Sequence, residues 1–135
     1  MISVNFSLKT KPGKSREFMQ TVESIIGQME KEEDCLSFDC KKDNEADKHY
    51  NIKTQWRDIK GPREHLLTDQ FKLLQGAIIV LCDPPEIDVS DGEHIFKFDF
   101  QEAGENYHGW LIQDKLIELL LEIEDLKQEK SKTTI

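Results

Sequence analysis

The residues best suited to chemistry in this sequence are one histidine and a group of aromatic side chains. His65 carries an imidazole that can accept a proton near neutral pH. Trp56 and Tyr50 can stack on an aromatic ring and orient it. Three phenylalanines can line an apolar cavity beside them, namely Phe6, Phe38 and Phe71. Together these residue types are the ones that proton removal from an aromatic ligand held between rings would require.

A purely structural role is the alternative for each of these residues. Trp56 and Phe38 are predicted to lie on the inner face of a small sheet, where aromatic side chains usually pack the core. His65 can cap a helix or bridge a dimer contact instead of titrating in a site. The hydroxyl of Tyr50 needs either water or a ligand as its partner. The sequence leaves both interpretations open.

The other histidines and the cysteines form no recognisable metal or redox site in the sequence. His49, His94 and His108 are scattered, with no carboxylate or thiol at ligand spacing. The cysteines are odd in number and lack a C-x-x-C pair. They are Cys35, Cys40 and Cys82. The sequence also has no phosphate-binding glycine loop and no dinucleotide fingerprint. We therefore expect neither a metal nor a cofactor.

The composition predicts one folded, soluble domain. A chain of 135 residues is the right length for a single hydrophobic core. Its formal charge is −9, so we expect no nucleic acid partner. No apolar run is long enough to span a membrane, and the N-terminus lacks the pattern of a signal peptide. These features predict a cytoplasmic protein with reduced thiols and no membrane association.

Apolar periodicity predicts the elements that position the candidate residues. Strand segments alternate apolar and polar side chains, as Phe6 does with Asn5 and Ser7. Helical segments repeat apolar residues every three or four positions. The predicted strands lie at 2–10, 36–40, 50–56 and 86–89, and the predicted helices at 15–31 and 62–82, the second with a break near Thr68. This βαββαβ order over residues 1–89 predicts an α+β ferredoxin-like sandwich.

Residues 90–135 form an extension beyond this unit. Residues 94–100 alternate as a fifth strand, and residues 108–130 have the spacing of a long, acidic amphipathic helix. That helix can pack on its own domain, on a partner subunit or on another protein. The two helices of the unit cover only one face of its sheet, so we expect a second copy of the chain to cover the other face in a homodimer.

Five short motifs, in their order and spacing, resemble the antibiotic biosynthesis monooxygenase (ABM) domain family over about residues 2–89. They are Lys11-Pro12-Gly13-Lys14, Glu32-Glu33-Asp34-Cys35-Leu36-Ser37-Phe38, Gln55-Trp56, Glu64-His65-Leu66 with Phe71, and Pro84-Pro85-Glu86-Ile87. The resemblance implies a ferredoxin-like domain whose dimer forms an α+β barrel. Asp34 stands where the family usually has Gly, and residues 90–135 extend past the common domain.

The resemblance also implies an activity, that of a cofactor-independent monooxygenase acting on a quinol or a polycyclic phenol. Such an oxidoreductase needs a base, which we assign to His65, and aromatic groups that orient a quinone-like ligand, which we assign to Trp56 and Tyr50. The three phenylalanines named above would line the substrate cavity.

Two other functions stay open. The same fold can serve as a non-catalytic module that binds a small apolar ligand or assists assembly. Haem degradation is another activity found in the family. It is the poorest match, because the Asn and His of that branch align here with Phe6 and with Gln75 or Gly76.

Overall fold

The computed structural model describes residues 1–29, 31–32, 34–43, 48–102 and 111–133. Within them the strands are β1 (Ile2–Lys9), β2 (Cys35–Lys42), β3 (His49–Trp56), β4 (Glu86–Ser90) and β5 (Ile95–Asp99). The helices are α1 (Ser15–Met29), α2 (Lys60–His65), α3 (Asp69–Leu81) and α4 (Leu111–Thr133).

The strands form one antiparallel sheet in the order β2-β3-β1-β4-β5. β1 lies between β3 and β4, so Phe6 pairs with Ile52 on one side and with Ile87 on the other. This order and pairing confirm the predicted α+β ferredoxin-like fold. β5 adds to the sheet edge beside β4, with Ile87 opposite Phe98.

One face of the sheet carries the hydrophobic core. Alternate residues of β1, β3 and β4 are buried, because successive side chains of a strand point to opposite faces. α1 contributes a buried stripe to the same core and packs against α3. The stripe consists of Phe18, Val22, Ile25 and Met29, whose spacing is that of one helical face. This packing fixes β3, and with it the position of Trp56 at the end of that strand.

Thr68 divides the predicted second helix into two. Its hydroxyl accepts a hydrogen bond from the backbone N–H of Phe71 at 3.2 Å, which caps the start of α3. The chain therefore turns between His65 and Asp69, and α2 and α3 are separate helices. The turn leaves His65 at the C-terminal end of α2.

The other face of the sheet is polar. Asn5 and Ser7 of β1 lie on it beside side chains of β3 and β4. Asn5 donates a hydrogen bond to Asp88 at 2.9 Å, and Ser7 donates one to Asn51 at 3.2 Å. A partner on this face would be held by hydrogen bonds and ion pairs more than by apolar burial. The homodimer expected there stays a prediction.

α4 packs on the chain's own sheet. It contacts β4 and β5, and its buried residues belong to the same core as the sheet. They are Ile112, Leu116, Leu119, Leu120 and Ile123. The predicted start of this helix, residues 108–110, lies outside the described residues. None of the described helices combines the length and the apolar composition that crossing a membrane requires.

Truncation of Ile123 tests whether α4 is part of this core. Ile123 is fully buried, so Ile123→Ala should lower the free energy of unfolding by about 2–5 kcal/mol. Leu121→Ala is the control. Leu121 is 43% exposed, so its truncation should lower the free energy of unfolding far less. Urea denaturation measures both variants. Equal, small losses would show that α4 does not share the core of the sheet.

Candidate functional site

Trp56 is anchored in the core at the end of β3. Its side chain is 1% exposed, and its Nε1–H donates a hydrogen bond to the hydroxyl of Thr54 at 2.9 Å. Thr54 in turn donates to the backbone C=O of Val4 on β1 at 3.3 Å. A buried indole N–H needs such a partner, because leaving it unpaired costs free energy. The indole is therefore held in one orientation from the side of the sheet.

Gly61 allows α2 to approach the indole closely. A Cβ at this position would lie 2.7 Å from Cε3 of Trp56 and 3.2 Å from Cβ of Asp34. Any larger residue would have to push the helix or the indole aside. The glycine thus sets the distance between α2 and Trp56, and the helix places His65 beside the indole.

The imidazole of His65 lies between two aromatic rings. Its centroid is 5.2 Å from that of Trp56, with an interplanar angle of 35°. It is 5.7 Å from the ring of Phe71, which meets it edge to face at 74°. His65 is only 7% exposed. Its ring is therefore packed and oriented before any ligand arrives.

Hydrogen bonds indicate which nitrogen of His65 carries the proton. The hydroxyl of Thr68 has one hydrogen, which it donates to the backbone C=O of His65 at 2.6 Å. The same oxygen lies 3.3 Å from Nδ1 of His65, so it can only accept there. Oε1 of Glu32, also an acceptor, lies 3.6 Å from Nδ1. We assign the hydrogen to Nδ1, which leaves Nε2 with the lone pair.

Burial shifts the pKa values of both His65 and Glu32. It lowers the pKa of His65 to about 4, because the imidazolium would be removed from water. Burial also raises the pKa of the Glu32 carboxyl above its usual value. At neutral pH His65 is therefore an uncharged base, and Glu32 faces its Nδ1–H.

A cleft of about 320 Å³ opens at this cluster. Trp56, Gly61, His65 and Thr68 contribute to its lining. Three acidic residues complete the lining, namely Glu32, Asp34 and Glu64. The carboxylates make the cleft electronegative, which disfavours ligands that arrive as anions. The cleft therefore favours a neutral ligand over an anion.

The structure brings together three of the six predicted site residues. Trp56 and His65 line the cleft, and Phe71 supports the imidazole. Tyr50 is at the opposite end of β3 from Trp56, about 20 Å away at the usual rise per residue. Its ring packs on Phe18 at a centroid distance of 5.5 Å. The structure therefore does not bring Tyr50 to the cleft, and its assignment to substrate binding stays a prediction.

The remaining two phenylalanines lie away from the cleft lining. Phe6 is 3% exposed in the middle of the sheet and packs the core. Phe38, on β2, is half-buried opposite Thr54. Their assignment to substrate binding stays a prediction.

The sequence interpretation missed the polar residues of the site. Thr68 was recognised only as a helix break, although Thr before Asp is a common start of a helix. Glu32 belongs to one of the quoted motifs, but nothing in its spacing places it near His65. Glu64 also belongs to a quoted motif, and Gly61 directly precedes Pro62. Nothing in their spacing places either residue at the cleft. These contacts join segments that are far apart in the sequence, and periodicity does not reveal them.

The described residues contain no group of three or more His, Cys, Asp or Glu side chains arranged to hold a metal ion. His108, one of the scattered histidines, lies outside the described residues. Burial raises the pKa of Cys40 to about 11 and that of Cys82 to about 12. These two thiols are therefore protonated at neutral pH and unsuited to nucleophilic chemistry.

Comparison with known proteins places the chain in a family. The model of a family described as antibiotic biosynthesis monooxygenase matches residues 1–77, more than half of the chain. The chain belongs to the ABM family. No curated protein sequence is significantly similar to it. The ABM match includes Trp56, His65 and Phe71 and ends before β4, β5 and α4.

Solved structures show the same ABM fold. The crystal structure of an antibiotic biosynthesis monooxygenase is 19% identical, with a TM-score of 0.63, and covers 70% of this chain and 100% of its own. A conserved protein from Methanosarcina mazei Go1 is 27% identical, with a TM-score of 0.63, and covers 66% of this chain and 89% of its own. A Pseudomonas aeruginosa protein is 19% identical, with a TM-score of 0.60, and the match covers 66% of this chain and 90% of that protein.

Adding a methyl group at Gly61 tests the packing of α2 on Trp56. Gly61→Ala should lower the free energy of unfolding by about 1–3 kcal/mol, because the new Cβ overlaps the indole. Gly27→Ala and Gly76→Ala are matched controls in α1 and α3, where an added Cβ meets nothing within 4 Å. They should be neutral or stabilising, since alanine favours helices. Urea denaturation giving Gly61→Ala the stability of the controls would contradict the close approach.

The buried, uncharged state of His65 predicts a specific loss of stability in acid. The unfolded chain binds a proton at His65 below about pH 6.5, whereas the folded chain does so only near pH 4. Stability is therefore complete above pH 6.5 and falls between these values, by about 3 kcal/mol at most. His65→Gln has no imidazole at this position and should lack this pH-dependent loss of stability. If urea denaturation at pH 7 and pH 4.5 gives the same loss for both proteins, His65 is not buried and neutral.

Proposed function

We propose that this ABM protein is a cofactor-independent monooxygenase that acts on a quinol or a polycyclic phenol, with His65 as the base. The observation that carries the proposal is the neutral imidazole of His65, packed against Trp56 at the cleft, with Thr68 and Glu32 on the side of Nδ1, an arrangement that leaves the lone pair on Nε2. Family membership supports the reaction class, and the geometry supports the choice of residues.

The first step is removal of a hydroxyl proton from the ligand by Nε2 of His65. The imidazolium that forms has the carboxylate of Glu32 3.6 Å from its Nδ1, which stabilises the positive charge. The phenolate formed on the other side stabilises it as well, since opposite charges at close range favour both charged forms. The low pKa of the free base favours ligands whose hydroxyl is already acidic.

The second step is oxidation of the ligand anion by molecular oxygen. One oxygen atom enters the ring and the other leaves as water. A phenol with a free ring C–H opposite its hydroxyl becomes a quinone in this way. The ligand supplies all four electrons, so the balance requires no external reductant. Trp56 is 1% exposed, so it would orient the ligand through His65, whose ring it holds in place, and the protein contributes orientation and proton transfer.

A second candidate function is binding of a small apolar ligand without turnover. A groove of about 570 Å³ lies between α2 and α4, and Glu64 contributes to its lining as well as to that of the cleft. Its lining includes Leu67, which is 71% exposed, and Ile117, which is 37% exposed. The volume is within the range of small-molecule sites. This candidate predicts that ligands contact Leu67 and Ile117 and that no oxygen is consumed.

Oxygen uptake with a panel of naphthoquinols and polycyclic phenols tests the catalytic proposal. The native protein should consume oxygen faster than the uncatalysed control, and His65→Gln should lower kcat by at least ~100-fold, the usual contribution of a general base. His94→Gln is the matched control, because His94 lies on the β4–β5 turn. Uptake that persists in His65→Gln would contradict the assigned role of His65.

A further inference from the structure

α2 is too short to hold its own conformation. It has six residues, from Lys60 to His65, and at its first turn the only side-chain hydrogen bond described is the one that Asp58 accepts from the backbone N–H of Lys60 at 3.0 Å. Isolated helices of this length are unstable in water, so tertiary contacts must fix it. Gly61 and Trp56 hold one side of the helix. Two contacts from α4 hold another side, and they bracket His65 in the sequence.

The first contact joins α4 to the end of α2 and to α3. The side-chain amide of Gln113 donates a hydrogen bond to the backbone C=O of Leu66 at 2.7 Å. The backbone N–H of Gln113 donates to Oε1 of Gln75 on α3 at 3.0 Å. Gln75 is 2% exposed, so this bond is shielded from water. Leu66 follows His65 directly, and its carbonyl is thereby tied to α4.

The second contact lies farther along α4. Nη1 of Arg63 is 3.0 Å from Oε2 of Glu124, and the side chains are 49% and 30% exposed. Glu124 follows Gln113 by about three helical turns. Exposed ion pairs contribute little on their own. We therefore regard Gln113 as the stronger of the two contacts and Glu124 as a second point that limits rotation of α2.

We infer that α4 braces α2 and so orients His65 against Trp56, which makes Gln113 and Glu124 positioning residues for the candidate base. The inference deepens the proposed function and rests on it for the role of His65. Both residues lie beyond the family match at residues 1–77. The brace is therefore part of the extension that this chain adds to the matched segment.

The inference can be tested without measuring turnover, through the titration of His65 followed by NMR of its imidazole. Charged groups near the ring are Glu32 at 3.6 Å, together with Asp34 and Glu64 in the cleft lining. None of them changes in Gln113→Met, which removes only the donor to Leu66. If the brace fixes α2, its loss admits water to the imidazole, and the titration midpoint should rise from about 4 by about one pH unit.

Gln128→Met is the matched control, because it makes the same chemical change at an exposed position of α4. It should leave the midpoint unchanged. Glu124→Gln, at the surface, is the second variant and decides the question if Gln113→Met does not fold. Its midpoint should rise as well, by a smaller amount. A midpoint equal to that of the native protein in every folded variant would overturn the inference.

The two proposals fail in different ways. A raised midpoint in Gln113→Met combined with no oxygen uptake by the native protein would retain the brace and reject the monooxygenase. Normal uptake with an unchanged midpoint would retain the enzyme and reject the brace.

Discussion

The close approach of α2 to Trp56 is the contact on which the candidate site depends. On the side of the sheet, the indole is fixed by its hydrogen bond to Thr54. On the side of α2, it packs against Gly61, where an added Cβ would overlap it. Because α2 then lies directly against the indole, His65 at its end is forced into the space between Trp56 and Phe71. The chemistry of the site follows from that enforced burial.

Burial and hydrogen bonding set two different properties of His65, its protonation state and the position of its hydrogen. Burial lowers its pKa, so the ring is neutral under ordinary conditions. The hydroxyl of Thr68 donates its only hydrogen to the backbone C=O of His65, so it can only accept from Nδ1. The lone pair of the imidazole is therefore on Nε2. Glu32 adds a carboxylate at the protonated side. The result is a base that is weak when the cleft is empty and is strengthened when an anion forms beside it.

The sequence predicted most of the fold and about half of the site. Alternation identified the strands and the face on which Tyr50 and Trp56 lie, and the motifs identified the ABM family. Alternation does not show how far apart two residues on one face are, which is why the sequence grouped Tyr50 with Trp56 although they lie near opposite ends of β3. Contacts such as Gln113 to Leu66 span 47 positions and follow from the tertiary packing alone.

The most direct test of the account is where an aromatic ligand binds. NMR of the ¹⁵N-labelled protein, titrated with a naphthoquinol under argon, reports this independently of turnover. The account predicts that shifts concentrate on the indole N–H of Trp56 and the amides of His65 and Thr68. Shifts confined to Leu67 and Ile117, or to the polar face of the sheet around Asn5, would contradict it.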